Sequence, residues 1–276
     1  MAYKTILLCL NEIERVPQLI AVARQLGVKF NAHISGLYVI PSAQVVPTDG
    51  YGVAPVAFDV VQKHFKAKLP KVREAFEYGM KEDKIAFDLR VVESSLPVIA
   101  TDVIENCRHV DLVVVSAIDR EKGDNVEADF VERIVMSAGR PVIVLPFKGE
   151  TEIEFDDVML GWNDSRESAR ATFDALPFMQ RAKRTNIVTV DVAPRGTIEG
   201  ANIAETLDRN GVKCEVLNVA SGGMSTGETL LRAANDHGAG LLVLGAYGHT
   251  RLAEWVFGGA TRYVLRNLDR PVLMSH

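Results

Sequence analysis

Residues suited to gripping an anion gather in one run near the C-terminus. Gly245-Ala246-Tyr247-Gly248-His249 is followed, after a spacer, by Gly258-Gly259-Ala260-Thr261. Glycine has no Cβ, so backbone N–H groups can approach a phosphate closely, and positive φ costs it little. Gly258-Gly259 opens a helix-like stretch whose unpaired amides and dipole favour an anion. Thr261 adds a hydroxyl in the first turn, and His249 could donate to a phosphate or stand as a solvated loop histidine. The same glycines could serve only as turns and a helix start. Tyr247 and Trp255 could fold over a ligand or bury the loop against a sheet. The acids expected near this run, Glu254 and Asp164, stand at no spacing typical of catalysis, and no lysine of the phosphate-loop type is present.

Other candidate groups have plainer readings. Ser221-Gly222-Gly223-Met224-Ser225 is expected to be a turn with Ser225 or Thr226 capping the next helix. Asp164 or Ser165 is expected to cap the helix from 166. Cys9, Cys107 and Cys214 are odd in number and read as reduced thiols. With His33 and His109 they show no metal-ligand spacing, so no metal site is expected.

What must position the glycine run is a repeated unit. Val142-Ile143-Val144-Leu145 follows Gly139-Arg140-Pro141, and Val272-Leu273-Met274 follows Asp269-Arg270-Pro271. Thr5 to Asn11 likewise parallels Asp157 to Asn163. Strands are expected near 5–10, 33–39, 86–92, 112–116 and 142–145, then near 157–161, 186–192, 213–218, 241–244 and 272–274. Helices are expected near 16–26, 57–81, 96–107 and 130–138, then near 166–176, 198–210, 227–237 and 260–268. Short Val/Ile/Leu runs mark strands buried on both faces, and βα alternation implies parallel pairing. The fold class is therefore α/β: two repeated, doubly wound, mostly parallel five-stranded sheets with helices on both faces. The expected domains are 1–148 and 153–276, with a long loop over 41–56 and a polar linker at 148–152. Runs 142–145 and 272–274 are apolar edges expected to meet, making an intramolecular pseudo-dimer. A homodimer is left open. Ligands of such sheets bind beyond the carboxyl ends of strands, where strand order reverses.

Gly245-x2-Gly248-x9-Gly258 resembles the nucleotide signature of the universal stress protein family, G-x2-G-x9-G-(S/T). Gly161-Trp162-Asn163-Asp164-Ser165 and the ending Arg270-Pro271-Val272-Leu273 are similar to that family's first and last strands. The resemblance covers both halves and implies a tandem member with a Rossmann-like fold, similar to adenine nucleotide alpha hydrolases. It implies a stress-response module binding ATP or another adenine nucleotide, with or without magnesium, as a regulatory or signalling device rather than an enzyme. A weak ATPase or phosphotransfer enzyme and a scaffold without nucleotide are the alternatives. The resemblance assigns adenine to Trp162, Asn163 and the backbone of Val190. It assigns phosphates to Gly245, Gly248, His249, Gly258, Gly259, Ala260 and Thr261.

Two positions depart from the pattern. Gly259 stands where Ser or Thr is usual, a loss of one hydroxyl bond worth about 0.5–1.5 kcal/mol. Asn163 stands where Asp is usual, though its amide oxygen still accepts. In the first half Ser116, Asp119 and Asp129 occupy the glycine positions, and carboxylates there repel phosphate. That half is expected to be degenerate for nucleotide.

Composition supports a folded protein and excludes other classes. The 276 residues are 47% apolar with net charge −5, spread evenly over the halves. Neither half is a basic nucleic-acid module. The absence of a long apolar run leads to the expectation of no membrane span, no signal peptide and a cytoplasmic location.

Overall fold

The computed structural model describes residues 2–42, 56–118, 126–148, 154–191, 200–248 and 259–276. Most of the expected 41–56 loop and 148–152 linker lies outside them. The chain forms two compact units that divide between Ala138 and Gly139.

The first unit runs β1 (Thr5–Cys9), a 3-10 turn at Ile13–Arg15, α1 (Val16–Phe30), β2 (His33–Ile40), α2 (Val56–Glu82), β3 (Phe87–Glu93), α3 (Ala100–Cys107), β4 (Leu112–Ser116) and α4 (Phe130–Ser137). Its strands lie in the order β3-β2-β1-β4, all parallel. Ile6, Leu7, Leu8, Val113, Val114 and Val115 are buried without remainder, as expected of strands covered on both faces. Helix α1 buries Val16, Leu19, Ile20, Ala23, Leu26 and Phe30, a stripe at helical spacing. It stops at Asn31, which adopts φ 47°, a left-handed cap that asparagine tolerates. Helix α3 starts at Ala100 rather than 96 because Pro97 keeps Leu96 out of the helical region.

The second unit runs β5 (Val142–Leu145), β6 (Asp157–Gly161), α5 (Arg166–Asp174), α6 (Leu176–Met179), β7 (Arg184–Val190), α7 (Ala201–Arg209), β8 (Cys214–Val219), α8 (Thr226–Asp236), β9 (Leu241–Gly245), α9 (Gly259–Arg266) and β10 (Val272–Ser275). The single helix expected over 166–176 is split, since Pro177 lacks the N–H a continuous helix needs and falls in the first turn of α6 instead.

Strand order in this unit is β8-β7-β6-β9-β10-β5. The first five strands are parallel, and β5 is antiparallel to β10, with Val144 opposite Val272 and Val142 opposite Met274. The two apolar edge runs thus meet as expected. Their pairing leaves four strands in the first compact unit and six in the second, instead of five in each. Both units repeat one pattern: strand order reverses between β1 and β4, and between β6 and β9.

Candidate functional site

In the second unit a cleft opens at this reversal, beyond the carboxyl ends of β6, β7 and β9. Its empty space, open solvent included, is about 660 Å³. Trp162, Asn163, Val190, Gly245, Ala260 and Thr261 line it. Six residues assigned from separate stretches of sequence therefore line one cleft. The floor is apolar, from Val188, Leu230 and Leu244. His249 and Gly258, together with Glu254 and Trp255, lie outside the described residues, as does Asp119 of the first unit.

Local chemistry explains how the wall is held. Ser165 caps α5 by accepting from Ser168 N at 3.1 Å, and Ser225 caps α8 by accepting from Glu228 N at 3.3 Å. The turn before α8 has positive φ at Gly222 and Gly223, so Ser221 to Ser225 is the expected turn and cap. Asn163 Oδ1 accepts from Ser165 N at 3.3 Å, which fixes the chain leaving β6 and leaves the oxygen a second lone pair. Thr261 is buried and its hydroxyl accepts from Tyr247 N at 3.3 Å, tying the start of α9 to the chain leaving β9.

The glycines act differently from the sequence expectation. Positive φ in this loop falls on Tyr247, at 58°, and on none of Gly245, Gly248 and Gly259. Gly245 is instead required by close approach. A Cβ there would lie 2.4 Å from Glu167 C and from Ser168 N, both backbone atoms of α5. Gly259 faces open space at the start of α9, and Ala260 and Thr261 follow it in the first turn. Left-handed backbone recurs around the rim, at Asp164 after β6, Asp191 after β7 and Tyr247 after β9. Such conformations concentrate at sites that hold ligands.

Sequence reasoning missed Glu167. It is 6% exposed, and a Cβ on Gly248 would lie 2.8 Å from its Oε2. Burial pushes this carboxyl up, but its own backbone N–H, the Arg166 guanidinium at 2.9 Å and the nearby His276 outweigh burial and hold it below its usual range. The acid beside the loop is therefore Glu167, whereas Asp164 is exposed. Its proximity depends on α5 packing against the end of β9, which no spacing in the chain reveals. Among the described residues no group of three or more His, Cys, Asp or Glu side chains could hold a metal ion. Nor is any described helix long and apolar enough to cross a membrane.

The model of the universal stress protein family matches residues 180–276, a span that contains Val190, Gly245, Gly248 and Gly259 to Thr261. A universal stress protein of Synechocystis sp. is 29% identical over 147 residues, covering 52% of this chain and 49% of that protein. The chain thus spans about half the length of that relative. Among solved structures, a universal stress protein from Archaeoglobus fulgidus DSM 4304 superposes with a TM-score of 0.72 at 16% identity, covering 98% of this chain and 95% of its own. The cytoplasmic domain of a prokaryotic cation chloride cotransporter reaches 0.52 at 11% identity, covering 99% and 95%. Both likenesses concern the fold alone, an α/β fold with a mostly parallel sheet. A fold shared so widely assigns no ligand.

Proposed function

We propose that this universal stress protein domain binds one adenine nucleotide, ATP, in the cleft between β6 and β9, and that occupancy serves stress signalling. The observation that carries the reading is that Trp162, Asn163 and Val190 line the same cleft as Gly245, Ala260 and Thr261. The first group offers a ring and backbone polar groups for a base. The second brings the free amides of the first turn of α9, which favour an anion. Glu167 sits behind Gly248, so the phosphates belong at α9 rather than against Gly248. Magnesium, if it accompanies the nucleotide, would neutralise phosphate charge near that carboxylate.

The test is Ala260→Glu. Ala260 lines the cleft in the first turn of α9, which has no acidic residue. A carboxylate there suits the helix dipole and should leave stability unchanged or raise it by about 0.3–1 kcal/mol. It should also repel phosphate and fill the cleft, lowering ATP affinity at least about tenfold, or roughly 1.4 kcal/mol. Calorimetric titration of parent and variant with ATP, alongside their melting curves, reads both quantities. An unchanged dissociation constant would refute this placement, and two equal sites in the parent would refute the assignment to one unit.

A further inference from the structure

The first unit has a cleft of its own beyond the carboxyl end of β1, lined by Asn11, Glu12, Glu14, His64, Phe65 and Lys68 among others. Strand register relates one of its lining residues, Asn11, to the cleft of the second unit. Cys9 pairs with Leu37 and Gly161 with Val188, and the next amide repeats one bond: Leu10 N donates to Leu37 O at 2.9 Å, Trp162 N to Val188 O at 2.8 Å. Asn11 therefore corresponds to Asn163, and Val39 to Val190.

The two asparagines do opposite things. Asn163 is exposed and turns its oxygen to Ser165 N, leaving Val190 as part of the cleft wall. Asn11 is 3% exposed and folds back onto β2. Its Nδ2 donates to Val39 O at 2.7 Å, and its Oδ1 accepts from Val39 N at 3.1 Å. A carboxamide presents a donor beside an acceptor. The amino group and ring nitrogen on one edge of adenine present the same pair.

We propose that Asn11 is a built-in stopper: its carboxamide occupies the backbone donor and acceptor with which the first unit would otherwise hold a nucleobase. The inference rests on the reading of Val190 as a base site. It separates loss of base binding, caused by Asn11, from loss of phosphate binding, caused by Ser116 and the acids that follow it. The first unit keeps a cleft and lacks a free edge. Removing the carboxamide restores the edge without restoring a phosphate site.

Adenosine, which has no phosphate, is the appropriate probe. The full chain and its Asn11→Ala variant are titrated by calorimetry, with backbone amides followed by proton–nitrogen correlation spectra. The variant is expected to take up one adenosine more than the parent, with the Val39 amide shifting in the variant alone. A folded variant that takes up no more adenosine than the parent overturns the inference, as does a Val39 shift in the parent. Amide hydrogen exchange of the unliganded parent decides the matter if the variant does not fold. Val39 must then be protected like the neighbouring ladder amides, and exchange as free as that of Val190 overturns the stopper. A parent that binds no adenosine while Asn11→Ala binds one would sink the proposed site in the second unit and leave the stopper standing.

Discussion

The carboxyl ends of β1 and β6 carry the same residue at the same register, followed by different chains. After Asn163 the backbone turns left-handed at Asp164 and enters a helix capped by Ser165, so the amide is held at the rim, in solvent. After Asn11 the chain passes into the 3-10 turn at Ile13–Arg15, with Glu12 and Arg15 both buried, and the amide is turned inward onto β2. Residue type thus does not settle what a strand-end asparagine contacts; the next four residues do. A site can close while its fold and its conspicuous residue stay in place.

The largest contrast lies at the ends of β4 and β9, where register matches Ser116 with Gly245. Ser116 is buried and its hydroxyl donates to Ala117 O at 3.0 Å, so the first unit accommodates a side chain there. The second does not, because α5 approaches Gly245 backbone to backbone. Gly245→Ser should destabilise the protein by about 3 kcal/mol, at the upper end of ordinary overpacking. Ser116→Gly should cost about 0.5–1 kcal/mol, the usual penalty for glycine inside regular structure. Denaturant unfolding of both variants measures the difference. Equal losses would show that Gly245 is not set by packing.

That contrast also marks how far the sequence could be read. Apolar runs located the strands to within about two residues, most plainly where strands such as β1, β4 and β9 are buried and carry no polar alternation, and less plainly at β3 and β8, which bury no residue. Helix ends set by Ser165 and Ser225 were equally legible, since capping is a local hydrogen bond. The cleft wall from Trp162 to Thr261 was reached through family resemblance, and its convergence needed the structure. Close approach at Gly245, the buried Glu167 and the inward turn of Asn11 were not legible. Each depends on which element packs against which, and a glycine chosen for approach looks the same in sequence as one chosen for φ.

Capping supplies a smaller contrast. In the second unit α5 and α8 begin with serines whose hydroxyls accept a backbone N–H, whereas α1, α3 and α4 of the first unit begin without a side-chain cap. Ser225→Ala should cost about 1 kcal/mol, the typical value of such a bond. Asp129→Ala, at the N-cap of α4, should cost almost nothing because the Asp129 side chain makes no cap bond. Unfolding free energies that fall equally in both variants would show that the serine bonds add little.

The smallest effect should appear at the junction of β2 and β3, where Ser35 lies opposite Asp88. In the second unit the matching pair is Asn186 and the exposed Glu215. Burial alone would raise the Asp88 carboxyl. Hydrogen bonding outweighs it: the His33 ring nitrogen lies 2.7 Å away, Arg90 Nε donates at 3.0 Å and Ser35 Oγ at 3.2 Å, with the Arg90 charge adding to them. The folded-state pKa therefore lies below the ordinary aspartate value of about 3.9. A carboxyl depressed in this way contributes stability above its unfolded value and loses it as pH falls through its folded value. Asp88→Asn should consequently be less stable than the parent near neutrality, with the gap closing below about pH 4. The gap should be small, since the Asp88 side chain is 38% exposed and solvent screens the pair. Denaturant unfolding of both proteins at neutral pH and at about pH 3 checks the sign. A gap of the same size at both would mean that the carboxylate contributes shape and no charge. The ion pair would then have no part in what distinguishes this edge from that of the second unit.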